Sequence, residues 1–151
     1  MSQSLSKLYT HIVFHTKYNQ DVIKADIEKE LFAYLGGILK ENKSVPIAIN
    51  GIENHVHILC IISKNIALAD LLEELKRNSS RWIKTKGVEY SDFAWQGGYG
   101  GFSVSQSKVE VVKRYIENQK DHHKTETVKD EYLRFLKEYG IDYNEDYLWT
   151  E

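Results

Sequence analysis

The segment ENHVHILCII, residues 53–62, places two histidines, His55 and His57, two positions apart in an apolar run. The run reads as a buried strand. Side chains at i and i+2 of a strand share a face, so the two imidazoles project together while Val56 and Ile58 go to the other side. Two parallel imidazoles can ligate one divalent ion. They can equally be core or edge histidines bonded to backbone.

A second constellation lies about sixty residues further on, in VVKRYIENQKDHH. Tyr115 and Gln119 are four apart and share a helix face, with His122 one turn further along. Val109, Val112 and Ile116 form the core stripe, which leaves Tyr115 at its margin, where a phenol can reach a cleft. A tyrosine with a neighbouring amide oxygen, near two histidines, would be an activated nucleophile with a metal beside it. Taken singly, Tyr115 is a half-buried helix aromatic and Gln119 a surface amide.

The elements that must position these groups follow from hydrophobic period. LYTHIVFHT (8–16) alternates Leu8, Thr10, Ile12 and Phe14 against Tyr9, His11, Val13 and His15, as a strand with one strongly apolar face does. From Asp21 to about Lys43, Ile23, Ile27, Leu31, Leu35 and Ile38–Leu39 fall on one helical stripe, with Asp21 as its cap. Pro46 opens a second strand, PIAINGI, joined to HVHILCII by a hairpin around Glu53–Asn54, with Asn50–Gly51 as an alternative turn or bulge. A helix over 67–84 turns Leu68, Leu71, Leu72, Leu75 and Trp82 inward. FAWQGGYGGFSVS (93–105) reads as two short strand segments joined by a flexible glycine loop. A helix capped by Ser107 carries Tyr115 and Gln119, and another runs from about Val128 to Tyr139 and stops at Gly140. IDYNEDYLWTE (141–151) is an arm that docks on a partner or a disordered end. The order is β-α-β-β-α-β-(β)-α-α. It predicts an α+β fold, an antiparallel sheet with helices packed over it in a ferredoxin-like or split βαβ arrangement.

The 151 residues fit one domain, 1–151, with a sizeable core. Hydrophobic residues at 42% and charged residues at 28% are ordinary for a soluble globular protein. No apolar stretch is long enough for a membrane span, and the N-terminus lacks an export signal. The lone Cys60, inside an apolar run, excludes an intrachain disulfide and fits a reducing cytoplasm as a small core residue. A net charge of −2 argues against a nucleic-acid binder, but the distribution is uneven. Residues 126–151 hold eight acids and three bases, whereas residues 1–125 hold seventeen bases and fourteen acids. The bases cluster at Lys76, Arg77, Arg81, Lys84 and Lys86, then at Lys108, Lys113, Arg114, Lys120 and Lys124. Such clusters can hold phosphates, or can simply be solvated helix faces.

NHVHILC, LKRNSSRWI, WQGGYGGFSVS and VVKRYIENQKDHH occur in the order seen in the single-tyrosine HUH transposases of small bacterial insertion sequences, and the ending FLKEYGIDYNEDYLW is similar to that family's tail. The resemblance covers nearly the whole chain from THIVFHTKY onward. It rests on the combination of His-hydrophobe-His on a strand with a later Tyr-x-x-x-Gln helix. It implies a transposase that nicks and rejoins single-stranded DNA at hairpin-bearing element ends through a 5′-phosphotyrosine. His55, His57 and Gln119 would then ligate Mg²⁺ or Mn²⁺, and Tyr115 would be the nucleophile. The family's acidic residue before the first histidine is here Asn54, which can still orient His55. The resemblance further implies a homodimer with active sites shared between subunits, the GGYGG loop letting the tyrosine helix swing between them. Lys76, Arg77, Arg81, Lys84, Lys113 and Arg114 are candidates for DNA backbone contact. Trp82 and Trp95 could stack bases or belong to the core.

Two alternatives stand beside this. A domesticated relative would keep the chemistry but process repeated palindromes in its host genome. A non-catalytic, ferredoxin-like nucleic-acid-binding module would not need Tyr115 or Gln119, but HVHILCII lacks the sheet-face aromatics of such modules. A metal-dependent phosphodiesterase would call for a carboxylate cluster, and no aspartate-rich segment supplies one.

Overall fold

In the computed structural model, which describes residues 2–149, four antiparallel strands form one sheet. They are β1 (Leu8–His15), β2 (Val45–Ile52), β3 (His55–Ile62) and β4 (Gly100–Val104), in the order β2-β3-β1-β4. With α1 (Ala25–Glu41) between β1 and β2, and α2 (Leu68–Ile83) between β3 and β4, this is the expected βαββαβ arrangement. Three further helices follow β4: α3 (Val109–Glu117), α4 (Gln119–His122) and α5 (Val128–Glu138), with a last short turn α6 (Glu145–Leu148). Met1, and Thr150 and Glu151 of the acidic tail, lie outside the described residues. No described helix is long and apolar enough to cross a membrane.

The two faces of the sheet are packed differently. Ile12 and Phe14 of β1 and Val56, Ile58 and Cys60 of β3 meet the apolar stripes of α1 (Ile27, Leu31, Leu35) and α2 (Leu71, Leu72, Leu75) in the main core. Burial raises the Cys60 thiol pKa to about 12, in keeping with an inert core residue. The alternate residues face the other way. Val13 and Phe102 pack with Tyr132, Phe135 and Leu136 of α5, and Leu59 and Val104 pack with Ile116 of α3. In the β1–β3 register Val13 stands opposite His57 and His15 opposite His55, so the histidines of both central strands crowd this second face.

Several local expectations are corrected. The first helix begins at Ala25, not at a cap on Asp21, because the amides of Val22 and Ile23 donate to the Glu53 carbonyl and hold the chain extended. The helix carrying Tyr115 starts after a 3-10 turn at Gln106–Lys108, so Ser107 is not its cap. It is also interrupted at Asn118, where the Asn50 side chain on β2 donates to the carbonyls of Ile116 (3.0 Å) and Glu117 (3.1 Å). Carbonyls at a helix end run short of intrahelical partners, and the Asn50 amide supplies one. The segment 93–105 contains one strand, β4, plus a single bridge from Trp95 to Thr16. Gly100 and Gly101 belong to β4, where an added side chain would meet Tyr132, Phe102 and Leu68. The Lys76 ammonium pins the preceding turn by donating to the carbonyls of Gln96 and Gly98. The glycine run is therefore not one free loop. The hairpin at Glu53–Asn54 and the stop at Gly140 (φ +61°) are as expected.

Candidate active site

β3 delivers both histidines fully buried, at 0% exposure, on the face covered by the C-terminal helices. Each ring is held from behind. The Nδ1 of His55 lies 3.1 Å from the side-chain oxygen of Asn54, the orienting contact expected at that position. The Nδ1 of His57 lies 2.8 Å from Nε2 of His11 on the neighbouring strand. The opposite ring nitrogens converge. His55 Nε2 meets Gln119 Oε1 at 3.0 Å, and His57 Nε2 meets Glu131 Oε1 at 2.8 Å.

The break at Asn118 starts a new turn at Gln119, which is buried like the histidines. Its amide nitrogen donates to Glu131 Oε2 at 3.0 Å. Tyr115, one turn before the break, donates its hydroxyl to the same carboxylate oxygen. Its ring lies edge-on to His57 with centroids 5.9 Å apart. Arg134 on α5 donates from Nη2 to the Tyr115 hydroxyl at 3.0 Å and is itself held by Glu126. Thus His55, His57, Tyr115 and Gln119 meet inside one chain.

The electrostatics follow from burial. Desolvation lowers the pKa of His55 to about 4 and holds His11 and His15 well below the ordinary imidazole value. Burial raises the Tyr115 phenol well above its usual range; the Glu131 carboxylate adds to that rise, and Arg134 works against it. Although burial opposes ionisation, the imidazoles of His123, His55 and His57 beside it hold the Glu131 carboxyl far below the usual carboxylate range.

Sequence reasoning missed Glu131 and His123. Ligand atoms of His55, His57, His123 and Glu131 all lie within 4.8 Å of one another. Imidazole nitrogens with a carboxylate, and the Gln119 oxygen beside them, are a donor set that fits a divalent cation. The signal for Glu131 was available: with Val128, Tyr132 and Phe135 it lies on the buried stripe of α5, where an acid is out of place.

The basic candidates are dispersed. Lys76, Arg77, Arg81 and Lys84 lie on or just after α2, which covers the opposite face of the sheet. Lys76 is committed to the carbonyls of Gln96 and Gly98, and burial lowers its pKa to about 8. Arg77 is paired with Glu73 and Glu74. Lys113 and Arg114 lie on α3 beside Tyr115, Arg114 exposed and Lys113 half-buried. Trp95, half-buried, packs edge-on against Phe14 and Phe93 at the margin of the main core, and its indole donates to Ser79. Trp82 is half-buried and stacks on Tyr34 at 4.8 Å.

Comparison with known proteins agrees with this architecture. The ISDra2 transposase TnpA of Deinococcus radiodurans is 25% identical over 120 residues, spanning 76% of this chain and 86% of that protein. A crystal structure from Deinococcus radiodurans, described as that of a transposase, superposes with a TM-score of 0.61 at 24% identity, over 79% of this chain and 98% of the other. A REP-associated tyrosine transposase bound to a REP hairpin superposes with a TM-score of 0.60 at 11% identity, over 82% and 74%. At these identities the two structures speak for the fold alone. The sequence profile of the family described as "Transposase IS200 like" matches residues 4–119, more than half of the chain. The chain belongs to the IS200-like transposase family.

Proposed function

We propose that this transposase cleaves and rejoins single-stranded DNA at hairpin-bearing element ends through a 5′-phosphotyrosine intermediate on Tyr115. The reading is carried by one observation: the Tyr115 hydroxyl is bonded to the carboxylate that also meets His57. A phenol in that place reaches whatever phosphate the histidine cluster holds.

His55, His57 and Gln119 would hold Mg²⁺ or Mn²⁺. Such an ion, when bound, polarises the scissile phosphate and stabilises the charge that grows on it. The chain's own residues do the rest. Asn54 and His11 fix the two rings from behind. Tyr115 attacks phosphorus, the phenolic O–P bond forms as the P–O3′ bond breaks, and the leaving oxygen takes a proton from water. The phenolic proton leaves toward the Glu131 oxygen that already accepts its hydrogen bond. Arg134 donates to the phenolic oxygen and offsets the negative charge that develops there. One phosphodiester is exchanged for another, so the step is near thermoneutral and reverses without ATP. The buried surroundings of the cluster keep water from the phosphotyrosine.

Single-stranded DNA with hairpins is the proposed partner, as the hairpin-bound structural neighbour supports. Arg81 and Lys84, and Lys113 and Arg114, are the proposed phosphate contacts; Lys76 and Arg77 are the less available of the original six. A homodimer with shared sites is compatible with this chemistry, but Tyr115 already reaches its own chain's histidines, so we favour a site assembled within one subunit. The neighbour's REP hairpin also favours a second reading, a domesticated relative acting on repeated palindromes, which matching hairpin-bearing ends around the gene would exclude.

The test is incubation with labelled, hairpin-bearing single-stranded DNA and Mg²⁺ or Mn²⁺. A denaturation-resistant protein–DNA adduct is expected and is abolished by Tyr115→Phe. An adduct that survives that substitution names a different nucleophile. Mixing Tyr115→Phe with His55→Ala subunits restores activity only if sites are shared between chains.

A further inference from the structure

Hydrogen-bond bookkeeping around the histidines leaves lone pairs facing one another. The side-chain oxygen of Asn54 can only accept, so Nδ1 of His55 carries that ring's hydrogen and Nε2 is a bare acceptor. His123, when neutral, repeats the arrangement, its Nδ1 lying 2.8 Å from the Glu126 carbonyl. The two Nε2 atoms stand 3.1 Å apart, and Gln119 Oε1 lies 3.0 Å from one and 2.9 Å from the other. The amide is oriented this way because its nitrogen donates to Glu131. Three acceptors in a triangle repel unless something positive lies among them. Ligands bound about 2.1 Å from one divalent ion, at right angles, stand roughly 3 Å apart, which is the spacing found.

Glu131 adjoins this triangle. Its Oε1 is 2.8 Å from His57 Nε2 and 3.3 Å from His55 Nε2, and its Oε2 is 3.3 Å from His123 Nε2. The residue is 1% exposed, and among the described residues its ion-pair partners are all histidines. A buried carboxylate with no permanent cation beside it is costly.

The geometry points to Glu131 and His123 as two further ligands of the cation site, closing within one chain a set of three imidazole nitrogens, one amide oxygen and one carboxylate. The inference rests on the cation role proposed for His55, His57 and Gln119. Both added residues lie beyond residue 119, where the family match ends. Because Glu131 also accepts from Tyr115, α5 ties cation and nucleophile together. The nitrogen-rich set favours Mn²⁺ over Mg²⁺, which prefers oxygen ligands.

Calorimetric titration of the full chain with Mn²⁺ and with Mg²⁺, without DNA, tests this apart from activity. Wild type binds one Mn²⁺ per chain, at least tenfold tighter than Mg²⁺. Glu131→Gln and His123→Asn each weaken Mn²⁺ tenfold or more, and His55→Ala weakens it further. Circular dichroism without metal verifies folding; if Glu131→Gln does not fold, His123→Asn decides by the same criterion. Variants that bind Mn²⁺ as tightly as wild type, or more tightly, while His55→Ala does not, overturn this inference and leave the proposed function standing: the cluster is then held by protons. A wild type that binds neither ion overturns both.

Discussion

Tyr115 and Glu131, sixteen residues apart on different helices, share a hydrogen bond from phenol to carboxylate. The contact is local to the cluster and does not carry the fold. Without the hydroxyl, Glu131 Oε2 keeps the amide of Gln119 at 3.0 Å and Arg134 keeps Glu126. Tyr115→Phe should therefore unfold within about 1 kcal/mol of wild type, the net worth of one such bond. Urea denaturation checks this, and a loss several times larger would make Tyr115 a structural residue.

Buried histidines make stability depend on pH in a fixed direction. His11, His15 and His55 all have folded-state pKa values below the ordinary imidazole value, His55 at about 4. As pH falls below about 6.5 the unfolded chain takes up protons first, so the folded state loses ground until the folded groups titrate. Glu131, its carboxyl depressed, acts in the same sense at lower pH. His123 acts oppositely: its pKa is raised against the burial that would lower it, mainly by the Glu131 carboxylate, so its contribution is present in acid and fades as pH rises through its folded value. Three depressed imidazoles outweigh one raised. The urea midpoint should be highest near neutral pH and drop between pH 6.5 and 4, by on the order of 3 kcal/mol for His55 alone. A flat profile across that window would mean that the cluster is already charged in the folded protein.

Two glycines should respond in opposite senses. At Gly51 an added methyl would stand 2.1 Å from the His55 carbonyl oxygen, a backbone atom of the hairpin partner that cannot turn aside. Gly51→Ala should cost roughly 2–4 kcal/mol and weaken Mn²⁺ binding, since His55 must move with its strand. At Gly37, exposed on α1, a methyl meets nothing within 4 Å. Gly37→Ala should stabilise by up to about 1 kcal/mol by removing freedom from the unfolded chain. Thermal melts of the two variants test the pair together.

Much of this architecture is legible in residue order because its causes are local. Alternation along 8–16 and 55–62 assigns faces correctly, down to His55 and His57 sharing one, and the stripes of α1 and α2 fall where the period puts them. What escapes the sequence has distant causes. Asn50 stops α3 from sixty-six residues away, and the Glu53 carbonyl delays α1. Glu131 reads as one more solvated acid in an acidic tail until the fold sets it against a histidine seventy-four residues earlier. The recognised quartet of His55, His57, Tyr115 and Gln119 was visible as a pattern; the carboxylate joining its members was not.

The basic residues should divide by how free their charges are. Arg81 and Lys84 are exposed at the end of α2, whereas Lys76 is held by two carbonyls and Arg77 by two glutamates. A cation that neutralises a phosphate releases counterions, so its removal weakens binding and flattens the salt dependence by roughly 0.7 in slope for single strands. Arg81→Ala and Lys84→Ala should each do both in fluorescence-anisotropy titrations of hairpin-bearing single-stranded DNA. Arg77→Ala should change affinity less, because freeing Glu73 and Glu74 offsets little that the DNA was using. Lys76→Ala should leave the salt slope near its wild-type value and act through the turn it pins beside His15, whose carbonyl accepts from the Gln96 amide. If Lys76→Ala instead lowers the slope by a full phosphate while Arg81→Ala leaves it untouched, the DNA path runs over the glycine turn rather than along α2.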